Sequence, residues 1–507
     1  MAASSSIRSS SPEGAFCRRQ CVGLVAAMID DLKAQIAALR ARTAPLEPGL
    51  EEREALAQRA LAHAQAFLEA IPDAPSRQPA ADVFLHRLEP EFPDAGRDPA
   101  AVLDYLGTCV EAPGFATTSP RFMAYIPGGG VFHAAIGDFL AAVSNKYSGF
   151  ASAAPGATRL ENATAAWLAE AIGYPTGAAG TLTSGGSIAN LSAVVAAREA
   201  RDPDGGGAVY ATRFAHHCVD KALHIAGRAR APRRTVATDE RHRMSPAALE
   251  QALAADQAAG IRPWLVIASA GTVDTGAVDP LSDIAGICRR FGAWFHVDGA
   301  YGGLFALCDE GRERLRGLSL ADSVVVDPHK TLFLPYGTGA VLLREGQHLL
   351  DAFSASADYI RPLGDFDVGP SPADLSPELT RHFRALRLWL PLQLAGVDAF
   401  RAAQSEKLAL ARYFHARLSM LAGFDAGPPP DLSVVAFRFL PEKGDADAFN
   451  ERLLHAVQEE GRVMLSGTRI DGRFTLRCAI VSFRTHIEHV DEAIDALARG
   501  VSRLQAP

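Results

Sequence analysis

Apolar runs that end abruptly in polar turns recur through the middle of this 507-residue chain. The clearest is Ser323–Val326, a β-branched run followed by a turn that carries Lys330. A similar run, Trp294–Val297, ends in Asp298. Continuous apolar runs predict strands that are buried on both faces of a parallel sheet, and ligands bind beyond the carboxyl ends of such strands. The pattern therefore places a lysine and an aspartate at the mouth of one crevice.

The same pattern divides the chain into segments of different architecture. The Ala-rich region from Leu32 to Leu68 has the residue spacing of amphipathic helices. Strands and helices then alternate, which indicates a mostly parallel sheet with helices on both faces. A long helix around Arg384 to Leu418 and further short elements indicate an α+β domain. We predict a disordered Ser-rich tail at 1–16, an N-terminal helical segment at 17–130, a large α/β domain at 131–386 and a small C-terminal α+β domain at 387–507.

Composition narrows the class of protein. Hydrophobic residues make up 48% of the chain and charged residues 21%, as in a soluble enzyme. The net charge of −8, without a basic stripe interleaved with aromatic residues, argues against nucleic acid as a partner. No apolar run is long enough for a membrane span. Seven cysteines form no disulfide framework, which favours a reducing cytoplasm.

Lys330 and Asp298 together suggest a particular chemistry. A lysine that loses its proton in a partly desolvated pocket forms Schiff bases, and pyridoxal phosphate enzymes pair such a lysine with an acid on the pyridine nitrogen. A salt bridge at a strand end is the alternative, and it would be favoured for either residue alone. The two residues together favour the cofactor site.

A turn of small residues, Gly180–Ser187, precedes a predicted helix. Its glycines let the backbone approach a ligand, Ser187 is a good N-cap, and the free amides at a helix start bind phosphate. An ordinary loop is the alternative. The turn is not a P-loop, because no Gly-Lys-Ser/Thr sequence follows.

Two adjacent histidines, His216 and His217, follow another short strand. One of them could stack on an aromatic cofactor. A helix cap and a surface residue are the alternative, and spacing alone does not choose between the two readings. No Cys/His spacing elsewhere completes a zinc site.

Taken in order, these motifs resemble the group II pyridoxal-phosphate-dependent amino acid decarboxylases, the family of aromatic-L-amino-acid decarboxylase. The similarity covers all but about the first hundred residues. It is carried by Pro120–Pro127, Ala154–Glu161, the Ser184–Ser187 turn, Ala215–His216, His296–Asp298, Asp327–Lys330, Arg381–Trp389 and Leu476–Ile480.

The resemblance implies a fold and a cofactor. The fold is that of the PLP-dependent transferases, aspartate aminotransferase-like fold type I, and the cofactor is pyridoxal 5'-phosphate. The resemblance implies that Lys330 forms the Schiff base with the cofactor, that Asp298 pairs with the pyridine nitrogen and that His216 stacks on the ring. Gly186 and Ser187 would bind the phosphate.

Four further positions match residues around the cofactor in the family. Thr272 and Ala300 match positions that line the cofactor. Asp327 stands near the phosphate, where some relatives have asparagine. An ionised carboxylate there cannot donate a hydrogen bond and repels a phosphate at short range. We expect His329 to compensate as a donor.

The family returns a proton to the α-carbon from a tyrosine on a mobile loop, and Tyr359 matches that tyrosine. The Gly- and Pro-rich stretch 361–372 that follows is typical of a lid that excludes water. A surface tyrosine beside a linker is the alternative. Relatives with phenylalanine at this position release aldehydes, so Tyr359 favours simple decarboxylation.

Three residues are candidates for contacts with the substrate. Tyr125 and Pro127 are expected to line the substrate end of the site, where Gly128 replaces a hydroxyl residue found in relatives. Thr380 occupies the position that, in the family, distinguishes enzymes for larger aromatic side chains from enzymes for smaller or more polar ones. Its hydroxyl and its bulk favour a phenolic or imidazole substrate over indole.

The resemblance therefore implies a carboxy-lyase that converts an L-amino acid, with an aromatic side chain preferred, to the amine and carbon dioxide. It also implies a homodimer whose subunits share active sites. The alternatives are another reaction on the same cofactor, such as aldehyde formation or amino transfer, and a non-catalytic scaffold that keeps the fold for binding.

Overall fold

The computed structural model of the protein describes residues 12–78, 92–355 and 368–506. Two compact units make up the chain, one from Met1–Ala70 with Leu88–Glu111 and the other from Ile71–Arg87 with Ala112–Pro507. The first unit contains helices α1 (Pro12–Arg42), α2 (Leu50–Ala70) and α3 (Pro99–Tyr105).

Helix α1 includes residues 12–16, which the sequence places in a disordered tail. A proline at the first helical position suits a helix start, because its missing N–H would have no partner there. Residues 1–11 lie outside the described part of the chain.

The second unit contains all the strands that the structure describes and most of the helices. In chain order its elements are β1 (Arg77–Gln78), β2 (Gly114–Phe115), α4 (Phe132–Ser144), α5 (Pro155–Ala171), β3 (Ala179–Thr183), α6 (Gly186–Arg201), β4 (Ala208–Ala211), α7 (Cys218–Ile225), β5 (Arg233–Thr235), α8 (Pro246–Ala258), β6 (Pro263–Ser269), α9 (Leu281–Phe291), β7 (Trp294–Gly299), α10 (Asp309–Arg314), β8 (Ser323–Val326), α11 (Pro328–Thr331), β9 (Gly339–Leu343), α12 (Gln347–Phe353), α13 (Arg384–Ala395), α14 (Val397–Ser419), β10 (Phe424–Asp425), β11 (Val434–Phe439), α15 (Ala446–Glu460), β12 (Ser466–Ile470), β13 (Arg473–Ala479) and α16 (Ile487–Gln505).

A seven-stranded sheet forms the centre of this unit, in the order β3-β9-β8-β7-β6-β4-β5. The pairs among β8, β7, β6, β4 and β5 are parallel, whereas β9 runs antiparallel to both β8 and β3. Successive side chains of β6 belong to apolar clusters on opposite faces, with Leu265 in one and Val266 in the other. The predicted mostly parallel sheet with buried faces is therefore confirmed, and its apolar runs reflect burial on both sides.

The smaller sheet is antiparallel, in the order β10-β11-β13-β12. Helices α14, α15 and α16 contribute to the apolar cluster that this sheet shares. The predicted small α+β domain is thus present as a sheet with helices.

A predicted helix of the second unit also differs from the structure. The expected helix around Arg384 to Leu418 is two helices, α13 and α14, separated at Gly396. Gly396 has φ 77°, a backbone angle that ends a right-handed helix and that glycine adopts without strain. Among the described residues, no helix has the length and apolar character that crossing a membrane requires.

Candidate active site

The carboxyl ends of three neighbouring parallel strands meet at one edge of the large sheet. Asp298 lies at the end of β7, Asp327 follows β8, and the short helix α11 carries Lys330. A cavity of about 280 Å³ opens there. It is lined by nine residues that the sequence singles out, namely Gly186, Ser187, His216, Thr272, Asp298, Ala300, Asp327, His329 and Lys330.

Lys330 is paired with Asp327. Its Nζ lies 3.0 Å from Asp327 Oδ2, whereas within the described chain no ion pair joins it to Asp298. Burial acts to lower the pKa of Lys330, but the negative charges of Asp327 and Asp298 outweigh that effect and raise the pKa. The lysine is therefore a cation held by a carboxylate.

The Asp327 carboxylate is enclosed between two glycines. A Cβ atom on Gly186 would lie 2.8 Å from Asp327 Oδ2, and one on Gly339 would lie 2.7 Å from Oδ1. The residue is 1% exposed, and its Oδ1 has no hydrogen-bond partner in the described chain. A buried carboxylate oxygen without a hydrogen-bond partner is costly, so this wall of the cavity suits a ligand that carries a hydrogen-bond donor.

Asp298 and His216 line the same cavity. One carboxylate oxygen of Asp298 accepts a hydrogen bond from the backbone N–H of Ala300 at 3.1 Å. His216 Nδ1 accepts one from the backbone N–H of Cys218 at 3.2 Å. Burial lowers the pKa of His216, against the opposing effect of Asp298. A neutral ring with Nδ1 as the acceptor can lie against a flat cofactor without adding charge.

The small-residue turn leads into helix α6, and the details differ from the sequence expectation. Ser187 is not the N-cap; that position is held by Gly185, whose φ is 151°. Glycine adopts this angle without a steric penalty. Ser187 instead lies in the first turn, where the backbone amides of Gly186 and Ser187 have no hydrogen-bond partner within the described chain. These amides and the Ser187 hydroxyl form a cradle for an anion.

The contacts of His329 do not favour its expected role as a hydrogen-bond donor to a phosphate. Its Nδ1 lies 2.6 Å from the carbonyl oxygen of Thr338, so Nδ1 carries the hydrogen. Burial lowers the pKa of His329, and a neutral ring has only that one N–H. The free Nε2, 3.7 Å from Asp327 Oδ2, is then an acceptor.

The residues proposed for contacts with the substrate are not among those that line this cavity. Tyr125 is 53% exposed, Pro127 is buried, and neither lines this cavity. Thr380 is exposed, beside Arg381, whose buried side chain pairs with Glu161 at 2.7 Å. Tyr359 lies outside the described residues.

Several lining residues were missed by sequence reasoning. Ser269, at the end of β6, could have been found, because it ends a strand as Asp298 does. No sequence pattern pointed to Asn190. Its Oδ1 accepts a hydrogen bond from His296 Nε2 at 2.9 Å, which links helix α6 to β7. Phe214 and Tyr301 also line the cavity.

The residues present fit pyridoxal 5'-phosphate. The cavity offers one amine, one carboxylate on the neighbouring strand, a flat histidine and an anion cradle, and these are the groups that an aldehyde, a pyridine nitrogen, a ring face and a phosphate require. The fold and this arrangement define the class of pyridoxal phosphate enzymes with fold type I.

Comparison with known proteins identifies the family. Residues 85–440 match the pyridoxal-dependent decarboxylase conserved domain. The chain is 34% identical over 435 residues to an aromatic-L-amino-acid decarboxylase of Bacillus atrophaeus, covering 83% of this chain and 90% of that protein. It is 29% identical over 449 residues to phenylacetaldehyde synthase of Arabidopsis thaliana, covering 84% and 91%.

A solved structure agrees with both matches. The crystal structure of Oryza sativa TDC with PLP and tryptamine superimposes with a TM-score of 0.84 and 26% identity, over 91% of this chain and 99% of that one. The chain belongs to the pyridoxal-dependent decarboxylase family. It is a pyridoxal 5'-phosphate-dependent amino acid decarboxylase.

Proposed function

We propose that the protein decarboxylates an aromatic L-amino acid to the amine and carbon dioxide. The observation that carries this proposal is the convergence of Lys330, Asp298 and the Gly186–Ser187 cradle on one cavity at the sheet edge. The aromatic class is supported by the aromatic-L-amino-acid decarboxylase that is 34% identical. We propose a substrate with a phenolic side chain first, because the hydroxyl group of Thr380 can form a hydrogen bond and its bulk disfavours the larger indole.

The roles of the site residues follow from their chemistry. Pyridoxal phosphate, when bound, supplies an electron sink for the pair released at the α-carbon. Lys330 would hold the cofactor covalently, and Asp298 would keep a proton on its ring nitrogen, because an adjacent anion favours the protonated form. His216 would cover one ring face. Gly186 and Ser187 would bind the phosphate through amides and a hydroxyl group.

Thr272 and Ala300 complete the wall of the cavity and would limit where the ring can lie. Tyr359 would return the proton to the α-carbon, as its match to the family's tyrosine implies. We further propose a cytoplasmic homodimer. The family resemblance supports the dimer, because two subunits complete each active site in that family and Thr380, which matches a substrate position, is exposed and does not line this subunit's cavity. Five cysteines, all buried and free in the described chain, support a reducing compartment.

Product analysis tests the proposal. Purified enzyme is supplied with tyrosine, phenylalanine, tryptophan, histidine and 2,4-diaminobutyrate, and amine, aldehyde and carbon dioxide are measured. We expect amine with equal carbon dioxide from an aromatic substrate, and none from Lys330→Ala. Aldehyde in place of amine would assign the alternative reaction, and no product from any amino acid would contradict a catalytic role.

Cofactor attachment is tested separately. Borohydride reduction followed by mass spectrometry should locate one pyridoxyl group on Lys330. The Lys330→Ala variant, which lacks the amine, provides the blank. A pyridoxyl group on another lysine would refute the assignment of Lys330 as the attachment site. It would leave the proposed reaction unaffected.

A further inference from the structure

A second cavity, of about 310 Å³, lies where the small sheet meets two loops of the large domain. We call it the rear cavity. None of its lining residues lines the active-site cavity. Its walls include Arg241, Thr275, Ala436, Ile470, Arg473 and Thr475.

Some charged side chains of the rear cavity are paired and others are not. Among its carboxylates, Asp431 pairs with Arg241 at 2.6 Å, and Asp471 pairs with Arg213. Arg473, by contrast, has no ion-pair partner among the described residues. The Nε of Arg241 is buried and likewise has no hydrogen-bond partner there. Within the described chain, two groups with unused hydrogen-bond donors, the exposed Arg473 side chain and the buried Nε of Arg241, therefore line the same cavity as one carboxylate without an ion-pair partner, Asp425.

The remaining lining selects the type of anion. Val434, Ala436 and Ile470 present apolar surface beside a run of three prolines that ends at Pro430. Asp425 lies on the same wall, and its carboxylate accepts only the backbone N–H of Gly427 among the described groups. A second negative charge on a ligand would be repelled by that carboxylate. The walls thus suit one carboxylate on an apolar body, not a phosphate.

Two side-chain contacts connect the rear cavity to the active site. Thr275 lines the rear cavity, and its Oγ1 lies 2.7 Å from Oγ1 of Thr272, which lines the active-site cavity. The ring of His242 lies with its centroid 5.4 Å from that of Phe214, another active-site residue. One loop, bounded by Gly271 at φ 97°, therefore forms part of both walls.

We propose that the rear cavity is an effector site for small aromatic or branched monocarboxylates, which bind through Arg473 and alter turnover through the Thr275–Thr272 contact. The ligand displaces the loop that both cavities share. The displaced loop carries Thr272 of the active-site wall whether or not substrate is bound, so the effector changes kcat and excess substrate does not overcome its influence.

The test uses 3-phenylpropionate as the probe and the full-length holoenzyme. Calorimetry measures its dissociation constant without turnover, so the result does not depend on the proposed reaction. Amine release is then measured at saturating substrate with and without the probe. Arg473→Ala should weaken binding by roughly tenfold or more, since a hydrogen bond to a charged group is lost. Arg469→Ala is the matched control: Arg469 lies on the same hairpin, pairs with Glu451 at 2.7 Å and does not line the cavity.

Ala436→Met provides a second variant, which fills the cavity without changing its charge and should also weaken binding. The expected result is one probe site that both cavity variants weaken and Arg469→Ala does not, together with a changed kcat in wild-type enzyme. Inorganic phosphate should bind more weakly than the probe. Absence of binding at millimolar concentrations, purely competitive inhibition, or equal binding by Arg473→Ala would overturn the proposal.

Discussion

Replacing Asp327 by asparagine should lower the proton affinity of Lys330. Asparagine has nearly the same shape as aspartate, so it fits the space between Gly186 and Gly339 and removes the charge alone. The two charged atoms are 3.0 Å apart. At an effective dielectric constant of about 20, that distance gives an attraction of roughly 5 kcal/mol. Even if relaxation cancels three quarters of it, the remainder is about a tenfold change in the proton equilibrium.

The assay is the rate at which cofactor-free enzyme takes up pyridoxal 5'-phosphate, followed by absorbance as a function of pH. Only the neutral amine attacks an aldehyde, so the part of the rate profile that reports Lys330 should move to lower pH in Asp327→Asn. The rate at a single pH is not diagnostic, because removal of the carboxylate also eases the approach of a phosphate.

Asp298→Asn is the matched comparison. Asp298 also raises the pKa of Lys330, but its effect is smaller than that of Asp327. In the described chain, Asp298 forms no ion pair with Lys330. Its removal should therefore move the profile less. An unmoved profile in Asp327→Asn, or a larger shift in Asp298→Asn, would refute the assignment of Asp327 as the principal partner of Lys330.

Three further predictions concern residues around the site. Glu161→Leu leaves the fully buried Arg381 without its partner and should cost about 3–5 kcal/mol of stability, whereas adding Arg381→Met should recover most of it; urea unfolding midpoints of the single and double variants decide. Arg477, 3% exposed, donates hydrogen bonds to Ser466 Oγ at 2.7 Å and to the carbonyl oxygens of Tyr125 and Asp274 at 3.3 Å. Arg477→Met should lower kcat/KM by about tenfold or more, with partial recovery on adding guanidinium, and no recovery would indicate a purely structural role. Burial lowers the pKa of His296 from 6.5 to about 4, so the unfolded chain binds the extra proton. The resulting stability, roughly 3 kcal/mol, is present above pH 6.5 and is lost as pH falls towards 4, and His296→Gln should flatten this part of the stability profile.

The sequence by itself determined the fold class and most of the cofactor cavity. Continuous β-branched apolar runs predict strands buried on both faces, so Asp298 and Lys330, which follow such runs, were expected at one sheet edge. The glycine turn before α6 could also be recognised from the sequence, because its chemistry depends only on residues that are adjacent in the chain. The reaction came from the ordered motifs, which no single run of residues contains.

The tertiary structure alone decided which groups touch. Lys330 forms an ion pair with Asp327, and His329 donates its N–H to the carbonyl oxygen of Thr338. Thr380 does not line the cavity. The rear cavity likewise combines Arg241 with Arg473, far apart in the chain. Hydrophobic periodicity determines which side of a strand or helix is buried, but an ion pair or a hydrogen bond depends on distances of a few tenths of an ångström. Those distances are set by how separate elements pack, which no local pattern records.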